Sequence, residues 1–177
     1  MAATLSNSIM AQMEKHVITA LVENHAGVLA RVAGLFARRG YNIESLTVSP
    51  TDDETLSRMN ITTTSDEMQL EQIQKQLHKL IDVLKVQEVT EYEHIERELM
   101  MVKVKASGFA RAEVKRTADI FRGQIVDVTA AQYTVQLAGT SEKLDAFIQA
   151  ISEVTEVVEV ARSGVVGIAR GERALKP

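Results

Sequence analysis

The stretch NHAGVLARV, residues 24–32, combines groups that could bind a small zwitterion. Gly27 precedes an apolar pattern of helical spacing, so a helix is predicted to begin at about Val28. Amide N–H groups at a helix start are unpaired and carry partial positive charge, which favours a carboxylate. Glycine lets a ligand approach the backbone without meeting a Cβ atom. Asn24 and Asn42 each offer an amide that can donate and accept, which suits an amino acid.

The same residues admit a purely structural interpretation. Asn24 could form an Asx-turn, and Gly27 could relieve strain where the helix begins. Residue types and spacing alone favour this structural interpretation over a ligand site.

Elsewhere the chain offers little chemistry of its own. No histidine stands three or four positions from another, which argues against a metal site; the four are His16, His25, His78 and His94. The chain has no cysteine and lacks a nucleophile elbow, a dinucleotide fingerprint and a P-loop lysine. The sequence therefore predicts no catalytic residues and no metal.

Asp52, Asp53 and Glu54 form an acidic cluster that could in principle hold Mg²⁺. A single turn rarely supplies enough fixed oxygens for that ion, so a solvated turn between two strands is the favoured interpretation.

The composition is that of a soluble globular protein: 177 residues, 45% hydrophobic and 25% charged. A net charge of −4 and only 4% aromatic residues argue against nucleic-acid binding. No apolar run approaches the ~20 residues that span a bilayer, and the start lacks the pattern of a signal peptide. The sequence thus predicts a cytoplasmic protein that does not enter a membrane.

Hydrophobic periodicity predicts the order β-α-β-β-α-β twice. In the first half, the predicted strands are 16–23, 42–50, 56–64 and 83–92, with helices over 28–40 and 70–81. In the second half, the predicted strands are 99–107, 124–131, 133–139 and 157–164, with helices over 111–123 and 144–151.

This repeated order predicts an α+β fold of two ferredoxin-like domains, each a four-stranded antiparallel sheet with both helices on one face. The predicted segments are a flexible lead-in at 1–15, a first domain at 16–92, a linker at 93–98, a second domain at 99–173 and a tail at 174–177. Small sheets keep exposed edges, so pairing with a second copy is expected.

Long blocks of the chain resemble the small, regulatory subunit of acetolactate synthase, also called acetohydroxyacid synthase. The similarity runs from about His16 to Arg173 and is carried by VENHAGVLARVAGLFARRGYNIESLTVSPTDDETLSRM, QLHKLIDVLKV, ERELMMVKV, DIFRGQIVDVT, YTVQLAGTSEKLDAF and EVARSGVVGIARGE. The first domain resembles an ACT domain, a ferredoxin-like module that often senses amino acids.

The resemblance implies a regulatory subunit without catalytic chemistry or cofactors of its own. Its partner would be the large subunit, which uses thiamine diphosphate, Mg²⁺ and FAD to convert two pyruvates to 2-acetolactate and CO₂. The small subunit would raise that activity and confer feedback inhibition by a branched-chain amino acid, most often valine. It would also form a homodimer through its ACT domains.

The resemblance also implies an effector site in the first domain, shared between residues 24–29 of one chain and Asn42 of its dimer mate. Leu29 and Ile43 are expected to contact the effector side chain. Ala26 stands where many ACT domains have proline, which weakens the expectation of a rigid turn but leaves the amide donors in place. The expected effector-binding residues are Asn24, His25, Ala26, Gly27, Val28, Leu29, Asn42 and Ile43.

The second domain has SGFARAEV at the corresponding position and no counterpart of Asn42, so no effector is expected there. The segment SPTDDETLSRM is a candidate surface for the catalytic subunit, with a solvated turn as the alternative. Two other functions remain open: a stand-alone amino-acid-sensing ACT protein and, against the acidic charge, an RNA-binding module.

Overall fold

A computed structural model describes residues 12–177 of the chain. These residues form two compact units, one running up to His94 and including Ala169–Pro177, the other covering Ile95–Ile168. Most of the predicted lead-in, residues 1–11, lies outside the described residues. Its last two residues, Glu14 and Lys15, already belong to the first strand.

The first unit has the predicted order β-α-β-β-α-β. Its elements are β1 (Glu14–Glu23), α1 (Val28–Arg38), β2 (Ser45–Pro50), β3 (Leu56–Ser65), α2 (Glu67–His78) and β4 (Val83–Glu88). The sheet is antiparallel in the order β2-β3-β1-β4, so β2 and β4 are its edge strands.

Alternation along β1 builds the core of this unit. Ile18 and Ala20 pair with Ile61 and Met59 of β3, and all four side chains are buried against α1 and α2. The helical spacing of Val32, Leu35 and Phe36 in α1 and of Leu70, Ile73 and Leu77 in α2 is confirmed. Both helices therefore cover the same face of the sheet.

The predicted helix over 70–81 is wrong at its end, where Ile81 was expected to continue the apolar face of the helix. The helix ends at His78, and residues 79–82 form a loop, so the helical phase no longer applies there. Ile81 is 94% exposed, whereas the next residue, Asp82, is only 5% exposed.

The second unit repeats the order and adds one short strand. Its elements are β5 (His94–Lys105), α3 (Ala110–Ile120), β6 (Gln124–Val128), β7 (Gln132–Gly139), α4 (Ser141–Val154), β8 (Val157–Arg162) and β9 (Val166–Ala169). The antiparallel order is β6-β7-β5-β8, and β9 pairs with β5. The α+β class with two ferredoxin-like halves is thus confirmed, while β9 was not predicted.

The predicted linker at 93–98 is wrong from His94 onward, because these residues begin β5. Glu98 explains how a charged segment can form a strand with one buried face. Its carboxylate is 5% exposed and accepts from Arg162 Nε at 3.0 Å, from Arg162 Nη2 at 2.8 Å and from the Gly164 N–H at 3.2 Å. A buried carboxylate bound in this way is compatible with a sheet.

Candidate effector site

The start of α1 carries open backbone donors. Gly27 is the N-cap residue, no side chain caps the helix, and the first intrahelical bond runs from the Arg31 N–H to Gly27 O at 3.1 Å. By contrast, Asp66 and Thr140 accept backbone N–H groups at the starts of α2 and α4. Helix α1 therefore begins with N–H groups that a carboxylate could accept from.

The backbone favours glycine at position 27. Its φ of +91° is a conformation that L side chains rarely adopt. A Cβ atom there would lie 2.9 Å from Nη1 of Arg31, the far end of a flexible side chain, which would have to shift. The strain-relief interpretation of Gly27 therefore holds, and it coexists with the open amides.

Asn24 joins this loop to the turn between β2 and β3. Its backbone N–H donates to Thr55 O at 2.8 Å, and its side-chain Nδ2 donates to Glu54 O at 2.8 Å. The side chain reaches across to another loop instead of back to its own backbone, so the Asx-turn interpretation is wrong. The Asn24 amide is oriented by the acidic turn.

His25 faces acceptors on both ring nitrogens. Nδ1 lies 3.1 Å from Ala26 O, while Nε2 lies 2.9 Å from Glu23 Oε2 and 3.0 Å from Asp82 Oδ1. The hydrogen bond to Ala26 O, followed by the contacts with Glu23 and Asp82, raises the pKa of His25 above its usual value. Both nitrogens can donate at once only in the imidazolium form.

Asp82 comes from the loop between α2 and β4 and completes this network. Arg31 Nε donates to its Oδ2 at 2.6 Å, and this bond, reinforced by the charges of Arg31 and His25, lowers the pKa of Asp82. The ligand atoms of Glu23, His25 and Asp82 lie within 4.8 Å of one another, a spacing also found in metal sites. Since the Arg31 guanidinium already pairs with Asp82, we assign the group as an ion-pair network.

The remaining expected site residues are distributed as follows. Val28 is buried in the core, so its contribution to a site would be its amide, whereas Leu29 is 46% exposed. Ile43 packs against the core, and Asn42 is exposed with its backbone oxygen accepting from Thr63 Oγ1 at 2.7 Å. Among the hydrogen bonds of residues 12–177, none joins Asn42 to residues 24–29.

The acidic cluster forms the turn that connects β2 and β3. Asp53 Oδ1 accepts from the backbone N–H of Thr55 at 2.9 Å and from its hydroxyl at 2.6 Å, and these two bonds lower the pKa of Asp53. Asp53 therefore holds the turn in shape, which leaves Asp52 and Glu54 as its outward-facing charges.

Sequence reasoning missed Arg31 and Asp82. Arg31 lies within residues 24–32, but the approach of its guanidinium to Gly27 depends on the side-chain rotamer, which the sequence does not show. Asp82 follows an apolar pair far along the chain, and no local pattern links it to residues 23–31. Only the folded contacts reveal either residue.

Two ferredoxin-like units, the first with an uncapped helix after a positive-φ glycine, make this an α+β protein whose first unit is of the ACT class by the family match that follows. Residues 18–85 match the family described as the acetohydroxyacid synthase small subunit-like ACT domain, and residues 97–171 match the one described as the small subunit of acetolactate synthase. The chain belongs to the family of acetolactate synthase small subunits.

Similar proteins cover nearly the whole chain. The acetolactate synthase isozyme 3 small subunit of Salmonella typhimurium is 61% identical over 92% of this chain and 99% of its own length. That of Escherichia coli is 62% identical with the same coverage. The crystal structure of the small subunit from Thermotoga maritima superposes with a TM-score of 0.81 at 37% identity, covering 90% of this chain and 99% of that one.

Membership in this family implies a catalytic large-subunit partner. Within residues 12–177, no helix is both long enough and apolar enough to cross a membrane.

Proposed function

We propose that this chain activates the catalytic subunit of acetolactate synthase and makes it sensitive to feedback inhibition by a branched-chain amino acid, with valine as the effector. The reaction is the conversion of two pyruvates to 2-acetolactate and CO₂ by the large subunit. In this proposal thiamine diphosphate, Mg²⁺ and FAD belong to that partner, and this chain contributes no catalytic group.

The observation that carries the effector assignment is the open start of α1. The uncapped N–H groups after Gly27 suit the carboxylate of an amino acid, and the half-exposed Leu29 offers an apolar contact for a branched side chain. The Asn24 amide, held by Glu54 O, can turn its oxygen toward the ligand ammonium.

A homodimer through β2 would complete this site. In a two-fold dimer the β2 strands run antiparallel, so the start of one lies beside the end of the other. Asn42 precedes the start of β2, while the turn that binds Asn24 follows its end at Pro50. The Asn42 of one chain would thereby approach residues 24–29 of its partner.

Reconstitution with the large subunit of the same organism tests this function. We expect acetolactate formation to rise when the chain is added, and L-valine to inhibit the mixture but not the large subunit alone. D-valine serves as the control ligand. If neither the rate nor the inhibition by L-valine depends on the added chain, the proposal is wrong. Binding of L-valine without any effect on the rate would instead favour the stand-alone amino-acid-sensing ACT protein.

A further inference from the structure

Asp82 contacts residues 23–31, hereafter the loop 23–31, which comprise the last residue of β1, the connection 24–27 and the first turn of α1, at three separated points. Its backbone oxygen accepts from the Glu23 N–H at 2.9 Å, its Oδ1 from His25 Nε2 at 3.0 Å and its Oδ2 from Arg31 Nε at 2.6 Å. Glu23 and His25 stand four and two residues before Gly27, and Arg31 stands about one helical turn after it. Asp82 thus restrains the backbone and side chains on both sides of Gly27.

The burial of these groups separates Asp82 from an ordinary surface ion pair. The Asp82 side chain is 7% exposed, while His25 and Arg31 are 47% and 46% exposed. Exposed pairs contribute little because water and salt screen them, whereas a buried carboxylate with charged donors holds its partners in a defined geometry. The carboxylate is therefore the fixed point, and the loop side chains are oriented by it.

Arg31 transmits this restraint to the open amides. Its Nη1 lies 2.9 Å from the position that a Cβ of Gly27 would occupy, so the guanidinium borders the glycine. The bond to Asp82 uses Nε, and Nη1 and Nη2 make no hydrogen bond to the other described residues. Release of Arg31 from Asp82 would let the guanidinium move relative to the start of α1.

We propose that Asp82 is a positioning residue for the effector site: through Arg31 and His25 it holds the loop 23–31 in the conformation that presents the N–H groups of α1 to the amino-acid carboxylate. The inference rests on the proposed function, because it assigns to Asp82 a role in that same site. Asp82 itself does not touch the ligand. Preorganisation of this kind raises affinity by removing the cost of ordering the loop on binding.

Two measurements on the full-length chain test the proposal. Asp82→Asn keeps the size of the side chain but removes its charge and one of its two acceptor oxygens. We expect the dissociation constant for L-valine, measured by calorimetry, to rise by about tenfold or more. In the ligand-free Asp82→Asn variant, hydrogen–deuterium exchange at amides 24–30 should be faster than in the wild type. Exchange at the core strands should keep its wild-type rate. A purely structural role would accelerate exchange throughout the first unit.

The matched control is Asp119→Asn, since Asp119 forms an exposed ion pair with Lys115 on α3. This control should leave the affinity within about twofold of the wild-type value. Wild-type affinity and unchanged loop exchange in Asp82→Asn would overturn the proposal.

The Arg31 side of the network supplies a second pair of variants in case Asp82→Asn does not fold. Arg31→Lys retains a cation that can reach Asp82, whereas Arg31→Leu does not, so the lysine variant should bind L-valine more tightly than the leucine variant. Equal affinities of both variants and the wild type would contradict the proposal. If the wild type binds none of L-valine, L-leucine and L-isoleucine, the proposed function fails, and loop exchange in the ligand-free variants still decides whether Asp82 holds the loop.

Discussion

Gly27 combines a positive φ with a position at an open helix start, so substitutions there separate strain from charge. We expect Gly27→Asp to lose L-valine affinity by about tenfold or more beyond Gly27→Ala, measured by isothermal titration calorimetry. Both variants place a Cβ atom against Arg31 and share the backbone strain. Only the aspartate adds a carboxylate that repels the ligand carboxylate and pairs with the open amides in its place.

Gly108 provides the matched control in the second unit. It also has a positive φ, of +58°, and precedes Phe109, the N-cap residue of the uncapped helix α3, while a Cβ atom there would meet nothing within 4 Å. Gly108→Asp should leave L-valine binding unchanged, because the effector is expected only in the first domain. Equal affinities of Gly27→Ala and Gly27→Asp would remove the open amides from the carboxylate site.

At the scale of elements, the two edge strands of the first sheet make distinct predictions. Val48 on β2 is 39% exposed, and Leu84 on the opposite edge strand β4 is 42% exposed. If chains pair along β2, Val48→Lys places a charge in the interface and weakens the dimer, because a buried unpaired cation is costly. We expect sedimentation equilibrium to show a dissociation constant raised by about tenfold or more.

Leu84→Lys is the control for this experiment, since it makes the same chemical change at a similar exposure on the other edge. It should leave the monomer–dimer equilibrium as in the wild type. The reverse result, dissociation by Leu84→Lys alone, would place the interface on β4 and separate Asn42 from the partner's effector loop.

The elements also show how far local sequence patterns reach. Periodicity predicted both βαββαβ halves and the start of α1 at Val28, because the buried positions of these elements are apolar. It missed the first residues of β5, whose alternation includes charges: Glu98 is buried only because Arg162, distant in sequence, binds it. Residues 24–29 are expected to bind an effector because of the family resemblance, whereas their own types and spacing favoured a structural role. Asp82 could not be identified from the sequence, since its role exists only in tertiary contacts.

For the whole molecule, the turn between β2 and β3 is a candidate link between the effector site and the catalytic subunit. Asn24, an expected effector-binding residue, donates to Glu54 O in this turn, so a ligand that moves Asn24 also moves the turn. The Asp53 carboxylate accepts from Thr55, whereas the exposed side-chain carboxylates of Asp52 and Glu54 make none of the hydrogen bonds found in the described part of this turn. A partner that binds these two carboxylates would therefore respond to a movement of Asn24 in the effector loop.

Charge reversal at both positions tests this link. Asp52→Lys combined with Glu54→Lys should weaken co-purification with the large subunit and lower the activation of acetolactate formation, because the reversed charges repel a basic partner surface. Asp53 is kept, since its loss would disturb the turn itself. The control reverses two exposed acids of the second unit, Asp119 and Glu153.

Loss of assembly in both double variants would indicate a net-charge effect, and intact assembly in the first would exclude this turn as the contact. Because the carboxylates at positions 52 and 54 do not line the proposed effector site, L-valine binding should survive where assembly is lost, which separates the two ends of the proposed signal path.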